Sequence, residues 1–421
     1  MAARVDNQTI PRQDSGLWDS FRQGLRASGV PWLFILPSLV VMMLITFAPQ
    51  LYQIVISFQD FRVENLGGNT PAVFVGLDNF RRVLSDGLNI PNYNFFPLLG
   101  FNIVWTVVNV ALHASIGLAV ALALNAENVI GRRIYRAIFV LPWALPGYIT
   151  ALIWNNLWQQ NDGGINLLIG SVNRGLGTNF PTNTNWLGEL LYRPVDLRSI
   201  MPYLIVIFSV LVVIWLVRRT SAMGLRDPKT GRLNIERTVF SIGGIVILGA
   251  VAVFTLLDIF TGSVASNRAV ALFERAGAPT LAFYAVLIAN VWLGWPFMMV
   301  VATGALQSIP GDLYEAADVD GASKWRQFRS ITLPLLRPAM VPAIMLGTVW
   351  TFNQFNVIFF ITAGGPSGQT DLLITQAYKL IQQEQLYGAA AAFSIVVFFV
   401  LLVITLIQNR VTRATKAYDE A

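Results

Sequence analysis

The chain has 421 residues, of which 55% are hydrophobic and 12% are charged, and its net charge is +6. Because a soluble domain carries about 25% charged residues, this chain has too little polar surface to cover a water-facing globule. The sequence contains no cysteine, which excludes disulfides, thiol catalysis and Cys-ligated metals. Its basic residues fall in short gaps between apolar runs and do not form one face, which argues against binding to nucleic acid.

Taken in chain order, eight apolar stretches are long enough to cross about 30 Å of hydrocarbon as helices. The polar residues 1–30 are predicted to form an N-terminal segment, and residues 31–421 to form the transmembrane domain. The first apolar run is longer than a signal-peptide core and is interpreted as a retained span. The predicted spans cover about 31–58, 98–124, 136–158, 201–217, 238–260, 281–306, 337–361 and 388–408. The predicted fold class is an all-α polytopic membrane protein.

The distribution of basic residues between the spans predicts their orientation. If the N-terminus lies in the cytoplasm, the inside segments hold 20 of the 29 Lys and Arg residues. Cytoplasmic loops carry the excess of Lys and Arg, so both termini are predicted to be cytoplasmic. The single histidine, His113, lies in the second predicted span, where an isolated buried ring is favoured over a metal site or a proton relay. No metal site is predicted.

One long polar segment, residues 307–334, lies between the sixth and seventh predicted spans on the cytoplasmic side. Its residues Glu315, Ala316 and Ala317 favour a helix, and Gly321 permits a sharp turn. A second short helix is predicted over about 322–330, with Trp325 and Phe328 on one face. Pro334 is expected to close the segment. The pattern suits insertion into a groove on a partner protein, although a plain surface loop is an equal alternative from the residues alone.

The same segment resembles the EAA signature of binding-protein-dependent ABC importer permeases, EAA-x3-G-x9-I-x-L-P. The matching residues are Glu315, Ala316, Ala317, Gly321, Ile331, Leu333 and Pro334. The resemblance implies a permease fold with a six-helix core, in which this loop docks on a cytoplasmic ATPase. Residues 201–260 would then be an extra helical hairpin with no assigned role.

Two later stretches, NVWLGWPFMM from Asn290 and TVWTFNQFNVIFFITAGGP from Thr348, resemble the larger permease subunit of maltose importers. The resemblance implies a sugar pocket shared by the two helices. The implied pocket residues are Asn290, Leu293, Gly294 and Phe297 on the first helix, and Gly347, Trp350, Thr351 and Gln354 on the second. Amides and aromatic rings are also the groups that sugar hydroxyls and apolar sugar faces require. Interhelical hydrogen bonding is the alternative role for the amides.

The resemblance implies the other components of an importer located in the bacterial inner membrane. They are a second permease subunit, two copies of an ATPase, an extracytoplasmic sugar-binding protein and membrane lipid. The sequence has no GxxxxGK[ST] loop, the motif with which many ATPases bind ATP, so ATP and Mg are expected on the ATPase subunit. This chain is expected to be a transport subunit that binds no cofactor and is not an enzyme.

Maltose or maltodextrin is the expected substrate, and trehalose, a polyol or glycerol phosphate are alternatives within the same family. An ion-coupled secondary transporter is the rival from another class, but such proteins place ionisable residues within their spans. The predicted spans here contain almost none.

Overall fold

The computed structural model describes residues 29–68, 70–85, 87–126, 129–188, 201–223, 235–261 and 279–419. The chain begins with α1 (Gly29–Met42), a π-turn (Met43–Phe47) and α2 (Ala48–Ser57). A two-stranded antiparallel hairpin pairs β1 (Gln59–Asp60) with β2 (Val73–Phe74), and α3 (Asp78–Leu84) follows. The next helices are α4 (Phe95–Asn125), α5 (Arg132–Ala144), α6 (Gly147–Leu157) and α7 (Gly164–Leu176).

The second half of the described chain is also helical. It contains α8 (Met201–Met223), α9 (Ile235–Thr261), α10 (Leu281–Gln307), α11 (Asp312–Val319) and α12 (Lys324–Gln327). A π-turn (Phe328–Thr332) leads into α13 (Leu333–Phe352), which is followed by α14 (Asn356–Thr362), α15 (Leu373–Gln382) and α16 (Tyr387–Asp419). The all-α prediction is confirmed.

Each of the eight predicted spans corresponds to helix in the structure. By length and composition, six of the described helices can cross a membrane, or seven when α5 and α6 count as one bent span. The apolar stretch of α8, Pro202–Arg218, is shorter than these six. The basic loop predicted between α8 and α9 lies mainly at 224–234, outside the described residues, as does most of the predicted N-terminal segment.

Two of the predicted spans are not single helices. The third, about 136–158, bends by 91° between α5 and α6. Leu145 is extended there, with φ −79° and ψ 141°, because the residue before a proline is pushed out of the helical region and Pro146 follows. The seventh, about 337–361, is divided into α13 and α14 at Asn353, which has φ −100° and ψ 27°. The first break turns the span sharply, whereas the second does not, since Lys324–Thr362 still passes as one candidate span.

The core that positions the site is formed by α4, α10 and α13. A buried cluster joins Ala121 of α4, Met298 and Met299 of α10, and Leu336 of α13. At Gly117 the two longest of these helices meet closely: an added Cβ would lie 2.6 Å from Cβ of Met298 and 2.7 Å from the backbone N of Met299. Small residues permit such close backbone approach between membrane helices, where burial of apolar surface supplies little attraction.

The outer surface is apolar. In the first span, Phe34 to Ser57, none of the residues in its most apolar stretch is buried within the chain. The helices α8 and α9 pack along each other, with Ala252 and Leu216 buried, and expose large apolar residues such as Phe208 and Phe254. In a bilayer such residues face hydrocarbon, which is the physical reason for a sequence with so few charges.

Candidate functional site

A chain of three side-chain amides crosses the core formed by α4, α10 and α13. Asn290 of α10 donates through Nδ2 to Oδ1 of Asn109 on α4 at 2.7 Å. Gln354, two residues beyond the end of α13, donates through Nε2 to Oδ1 of Asn290 at 2.8 Å. Asn109 and Asn290 are buried and Gln354 is half-buried. The chain of hydrogen bonds therefore runs from the packed interior to a more accessible end.

Asn109 and Asn290 lie in largely apolar helices, and Gln354 closely follows the end of a third. Buried polar groups in a bilayer need partners within the protein, so they mark the places where helices are joined. On α4 the polar residues Asn102, Thr106, Asn109 and His113 follow the spacing i, i+4, i+7, i+11 and share one face. All four are buried. The sequence prediction missed Asn109 at this site, although the polar stripe was a signal that could have revealed it.

His113 holds the same part of α10 from the other side of the amide chain. Its Nε2 lies 3.0 Å from the backbone oxygen of Asn290. A carbonyl oxygen only accepts, so this ring nitrogen carries the hydrogen and donates it. The ring occupies the space that Gly294 leaves, because an added Cβ there would lie 2.2 Å from the ring carbon Cε1. The prediction of an isolated ring was wrong in one respect, since the ring has a specific partner on another helix.

An aromatic cluster lies two turns along α10 from Asn290. The ring of Phe297 contacts Trp350 of α13, with centroids 5.5 Å apart, and Trp143 of α5 at 5.8 Å. Trp350 is 51% exposed, whereas Phe297 is half-buried. The sequence prediction did not include Trp143. Trp143 lies just before the bend at Pro146, and its contact with Phe297 depends on the direction in which α5 runs relative to α10. Periodicity within one segment does not determine that direction.

The structure brings several predicted pocket residues into contact. Asn290 meets Gln354, and Phe297 meets Trp350. Leu293 packs at the edge of an apolar cluster formed by α4, α6, α10 and α14. The remaining residues are Gly347, whose added Cβ would lie 2.8 Å from Cε of Met298, and Thr351, which is buried. The binding role of these residues stays a prediction.

The segment 307–334 folds as a helix, a turn and a second helix. Gly321 has φ +71°, a left-handed conformation that favours glycine, between α11 and α12. Lys324 forms an ion pair with Asp318 at 3.0 Å across the turn. Gln327 donates to the same Asp318 carboxylate and to the backbone oxygen of Ala322 at 3.1 Å. The predicted turn is confirmed, and these bonds fix the angle between its two arms.

The second arm differs from the prediction. Pro334 was expected to close the segment, but α12, the π-turn and α13 form one continuous helical run through it. Proline is tolerated in a first turn because its missing N–H is not required there, and Pro334 lies at the start of α13, directly after the wide π-turn. Tyr314 Oη lies 2.9 Å from Thr332 Oγ1 and joins α11 to this run. The segment is thus rigidly continuous with α13.

Several residues of the segment point away from the core. The rings of Trp325 and Phe328 lie on one face, as predicted, and they stack with centroids 5.5 Å apart; Trp325 is 69% exposed. Glu315 and Ala316 are exposed on α11, and Ala317 is half-buried. Of the other signature residues, Ile331 and Pro334 are half-buried and Leu333 is partly exposed. The exposed Trp325 ring, stacked on the half-buried Phe328, and the exposed Glu315 carboxylate form a surface on which another protein can pack.

The Lys324 contact also affects the acid–base behaviour of the turn. The hydrogen bond from Lys324, with that from Gln327, holds the pKa of Asp318 below its ordinary value. Hydrogen bonds to the charged form of a carboxyl favour that form. Asp318 therefore stays ionised, and the ion pair persists under mildly acidic conditions.

Comparison with known proteins identifies relatives of the whole chain. Residues 175–417 match the family model described as the binding-protein-dependent transport system inner membrane component. The chain is 26% identical to the maltodextrin transport system permease protein MalC of Streptococcus pneumoniae, with 100% of this chain and 77% of that protein covered. It is also 26% identical to the galactooligosaccharides transport system permease protein GanP of Bacillus subtilis, with 94% and 72% covered.

A solved structure has the same fold at lower sequence identity. It is a crystal structure of a bacterial ABC transporter involved in the import of the acidic polysaccharide alginate, and one of its chains superposes with a TM-score of 0.59. The two chains are 16% identical, and the match covers 94% of this chain and 99% of the other. At this identity the similarity concerns the fold alone.

Proposed function

Because the chain belongs to the family of binding-protein-dependent transport system inner membrane components, we propose that it is the permease subunit of an ATP-driven importer of maltodextrin or a related oligosaccharide. Its relatives include permeases for maltodextrin and galactooligosaccharides, which supports a carbohydrate substrate. In this role the chain is a transport subunit, and a separate ATPase binds ATP and Mg. A second permease subunit, two ATPase copies and an extracytoplasmic sugar-binding protein complete the proposed importer.

The observation that carries the substrate proposal is the pairing of an amide chain with an aromatic pair on α10 and α13, in which the α13 ring, Trp350, is exposed. Sugar hydroxyls need hydrogen-bonding partners, and Gln354 is the accessible end of the amide chain. The apolar face of a sugar ring packs on an aromatic surface, and Trp350 offers one in contact with Phe297. No charged residue takes part in these contacts, which favours a neutral ligand over glycerol phosphate.

The segment 307–334 is the proposed contact with the ATPase. Its two arms join α10 to α13, and the bonds of Asp318 and Tyr314 keep their angle fixed. A rigid element that moves with a partner tilts the helices to which it is joined. In the proposed orientation both termini and this segment lie in the cytoplasm, as the distribution of Lys and Arg favours.

The test is ATP hydrolysis by the reconstituted importer, with and without its sugar-binding protein, across maltose, maltodextrins, trehalose and a polyol. We expect stimulation by maltose or its oligomers. Gln354→Ala removes one or two hydrogen bonds, each contributing about 0.5–1.5 kcal/mol, so the half-saturating sugar concentration rises roughly two- to tenfold for each bond lost. Trp350→Ala is expected to raise it as well. Trp215→Ala is the matched control, since this ring on α8 is 50% exposed and lies outside the pocket contacts.

Each outcome separates a different part of the proposal. Stimulation by another sugar alone would retain the importer and reject the maltodextrin substrate. Transport that survives ATP depletion would reject the ATP-driven mechanism. Trp325→Ala is expected to weaken binding of the ATPase without lowering the folding stability of the chain, because its ring is largely exposed. Unchanged ATPase binding in that variant would reject the docking role of the segment 307–334.

A further inference from the structure

The orientation of the Asn109 amide is set by a backbone carbonyl of its own helix. Its Nδ2 donates to the backbone oxygen of Trp105 at 2.8 Å. A carbonyl oxygen has no hydrogen to give, so the amide nitrogen must face it. The Oδ1 of Asn109 is therefore directed to Asn290 and can only accept a hydrogen bond there. A rotation of this amide by 180° would place two oxygen atoms against each other at Trp105.

This fixed orientation propagates through the next two amides. Since Asn109 presents an acceptor, Asn290 must use Nδ2 to meet it, at 2.7 Å. Asn290 then presents Oδ1 on its other side, and Gln354 must use Nε2 to meet that oxygen, at 2.8 Å. Rotation of any single amide would bring two acceptors or two donors together, and a buried unsatisfied polar group is costly. The Trp105 carbonyl thus determines the direction of all three hydrogen bonds.

His113 fixes the backbone from which this chain is built. It donates to the backbone oxygen of Asn290 at 3.0 Å, while its ring fills the space beside Gly294. The side chain of Asn290 is therefore held by Asn109, and its main chain by His113. Both anchors come from α4, which contributes none of the pocket residues predicted from the sequence.

The series of amide hydrogen bonds ends at Oε1 of Gln354. Oε1 of Gln354 accepts no hydrogen bond from the part of the chain that the structure describes, and the side chain is half-buried. We propose that Asn109 and His113 are positioning residues that fix the hydrogen-bond polarity of the pocket, so that Gln354 presents its oxygen to a ligand hydroxyl. The pocket then recognises a hydroxyl group as a hydrogen-bond donor at this point. This inference rests on the proposed function, because it takes Gln354 to contact the sugar.

The polarity can be tested by reversing it at one end. Gln354→Glu at pH 8 places an ionised carboxylate against Oδ1 of Asn290, so two acceptors meet. We expect the half-saturating concentration of the stimulating sugar (maltose, maltotriose or trehalose) to rise by about tenfold or more. Adding Asn109→Ala removes the acceptor that holds Asn290, which can then rotate and donate to the glutamate. The double variant is expected to recover to within about threefold of Asn109→Ala alone.

Thr106→Val is the matched control for Asn109→Ala. Thr106 is also buried on α4, but its hydroxyl bonds only to the backbone oxygen of Asn102 within the same helix, at 2.7 Å. Adding Thr106→Val to Gln354→Glu should not restore the half-saturating sugar concentration. His113→Ala should raise the half-saturating concentration and leave the maximal rate of ATP hydrolysis nearly unchanged, whereas a purely structural role would lower the amount of folded protein.

A second readout does not depend on sugar. Thermal unfolding of the purified chain in detergent should show the same rescue, with Gln354→Glu less stable than the double variant. Additive effects of the two substitutions in both assays would overturn the inference and leave the proposed function intact. If no sugar stimulates the wild-type complex, the proposed function fails, and the contact of Gln354 with a sugar hydroxyl fails with it. Rescue in the unfolding assay would still support the direction of the hydrogen bonds between the three amides.

Discussion

Replacement of Gly294 by alanine tests whether a glycine is required at this position to leave room for the His113 ring. An added Cβ would lie 2.2 Å from Cε1 and 2.4 Å from Nε2 of the His113 ring. Such distances are far below van der Waals contact, so the ring has to move. Its movement breaks the hydrogen bond to the backbone oxygen of Asn290. Gly304 lies on the same helix, and an added Cβ there would meet nothing within 4 Å.

The two substitutions differ only in what the new methyl group meets. Glycine to alanine within a helix contributes about 0.8–1.0 kcal/mol of stability, and this gain applies at both positions. At Gly294 it is opposed by overpacking of about 1–3 kcal/mol and by the lost hydrogen bond of about 0.5–1.5 kcal/mol. We therefore expect Gly294→Ala to lower the free energy of unfolding by about 0.5–3.7 kcal/mol. Gly304→Ala is expected to raise it by up to about 1 kcal/mol.

Denaturant unfolding of the purified protein in detergent measures both variants under one condition. A double variant, Gly294→Ala with His113→Ala, separates the clash from other effects, because removal of the ring removes the obstacle. The double variant should be at least as stable as His113→Ala alone. Equal stability of Gly294→Ala and Gly304→Ala would refute the claim that the His113 ring requires a glycine at position 294. A contact with the ligand would then be the remaining role of Gly294.

Three further predictions concern polar contacts outside the amide chain. Lys379→Met removes the 2.8 Å ion pair of the buried Asp371 carboxylate, which also accepts a hydrogen bond from Thr375, and should cost about 1–3 kcal/mol of unfolding free energy. Lys324→Met at the exposed Asp318 pair should cost much less, and unfolding of the purified variants compares the two. The hydrogen bond from Lys324 lowers the pKa of Asp318, so the stabilisation by the ionised carboxyl is present above the ordinary carboxyl pKa and is lost as the pH falls through the lowered value. The stability difference between wild type and Asp318→Asn should therefore shrink in acid. A difference that stays constant with pH would contradict this. Tyr314→Phe removes one hydroxyl contact and should lower stability by about 0.5–1.5 kcal/mol. Transport per ATP hydrolysed by the reconstituted complex should also fall, because α11 then loses one of its links to the run that leads into α13 and keeps those of Asp318.

The spans were predictable because a bilayer imposes a length that apolar residues within one segment must satisfy. The turn at Gly321 and the stacking of Trp325 with Phe328 were predictable for a similar reason, since both follow from spacing within a dozen residues. The bend before Pro146 was partly foreseeable from the restricted residue that precedes a proline. Its size, 91°, depends on the helices against which the two halves pack.

The contacts at the site could not be derived from the sequence in the same way. Asn109 and Asn290 are separated by 181 residues, and periodicity within α4 or α10 does not specify which helix a polar face meets. The polar stripe on α4 is a signal that this face is buried, but it does not reveal that Asn109 holds the orientation of a residue on α10. Likewise, Gly294 was assigned to a pocket by resemblance, and only the packing reveals the His113 ring beside it.

The connection between the two candidate sites follows from continuity of the chain. The helix α10 contains Asn290 and ends at Gln307, where the segment 307–334 begins, and α13 starts in that segment and ends two residues before Gln354. With 20 residues and a rise of about 1.5 Å per residue, α13 carries a tilt over roughly 30 Å. A motion that separates α10 from α13 at the level of Asn290 therefore stretches the 2.8 Å bond between Gln354 and Asn290. If the ATPase moves the segment 307–334 in the proposed importer, this bond connects that motion to the proposed sugar pocket, and breaking it frees Nε2 of Gln354 to donate to the sugar as well.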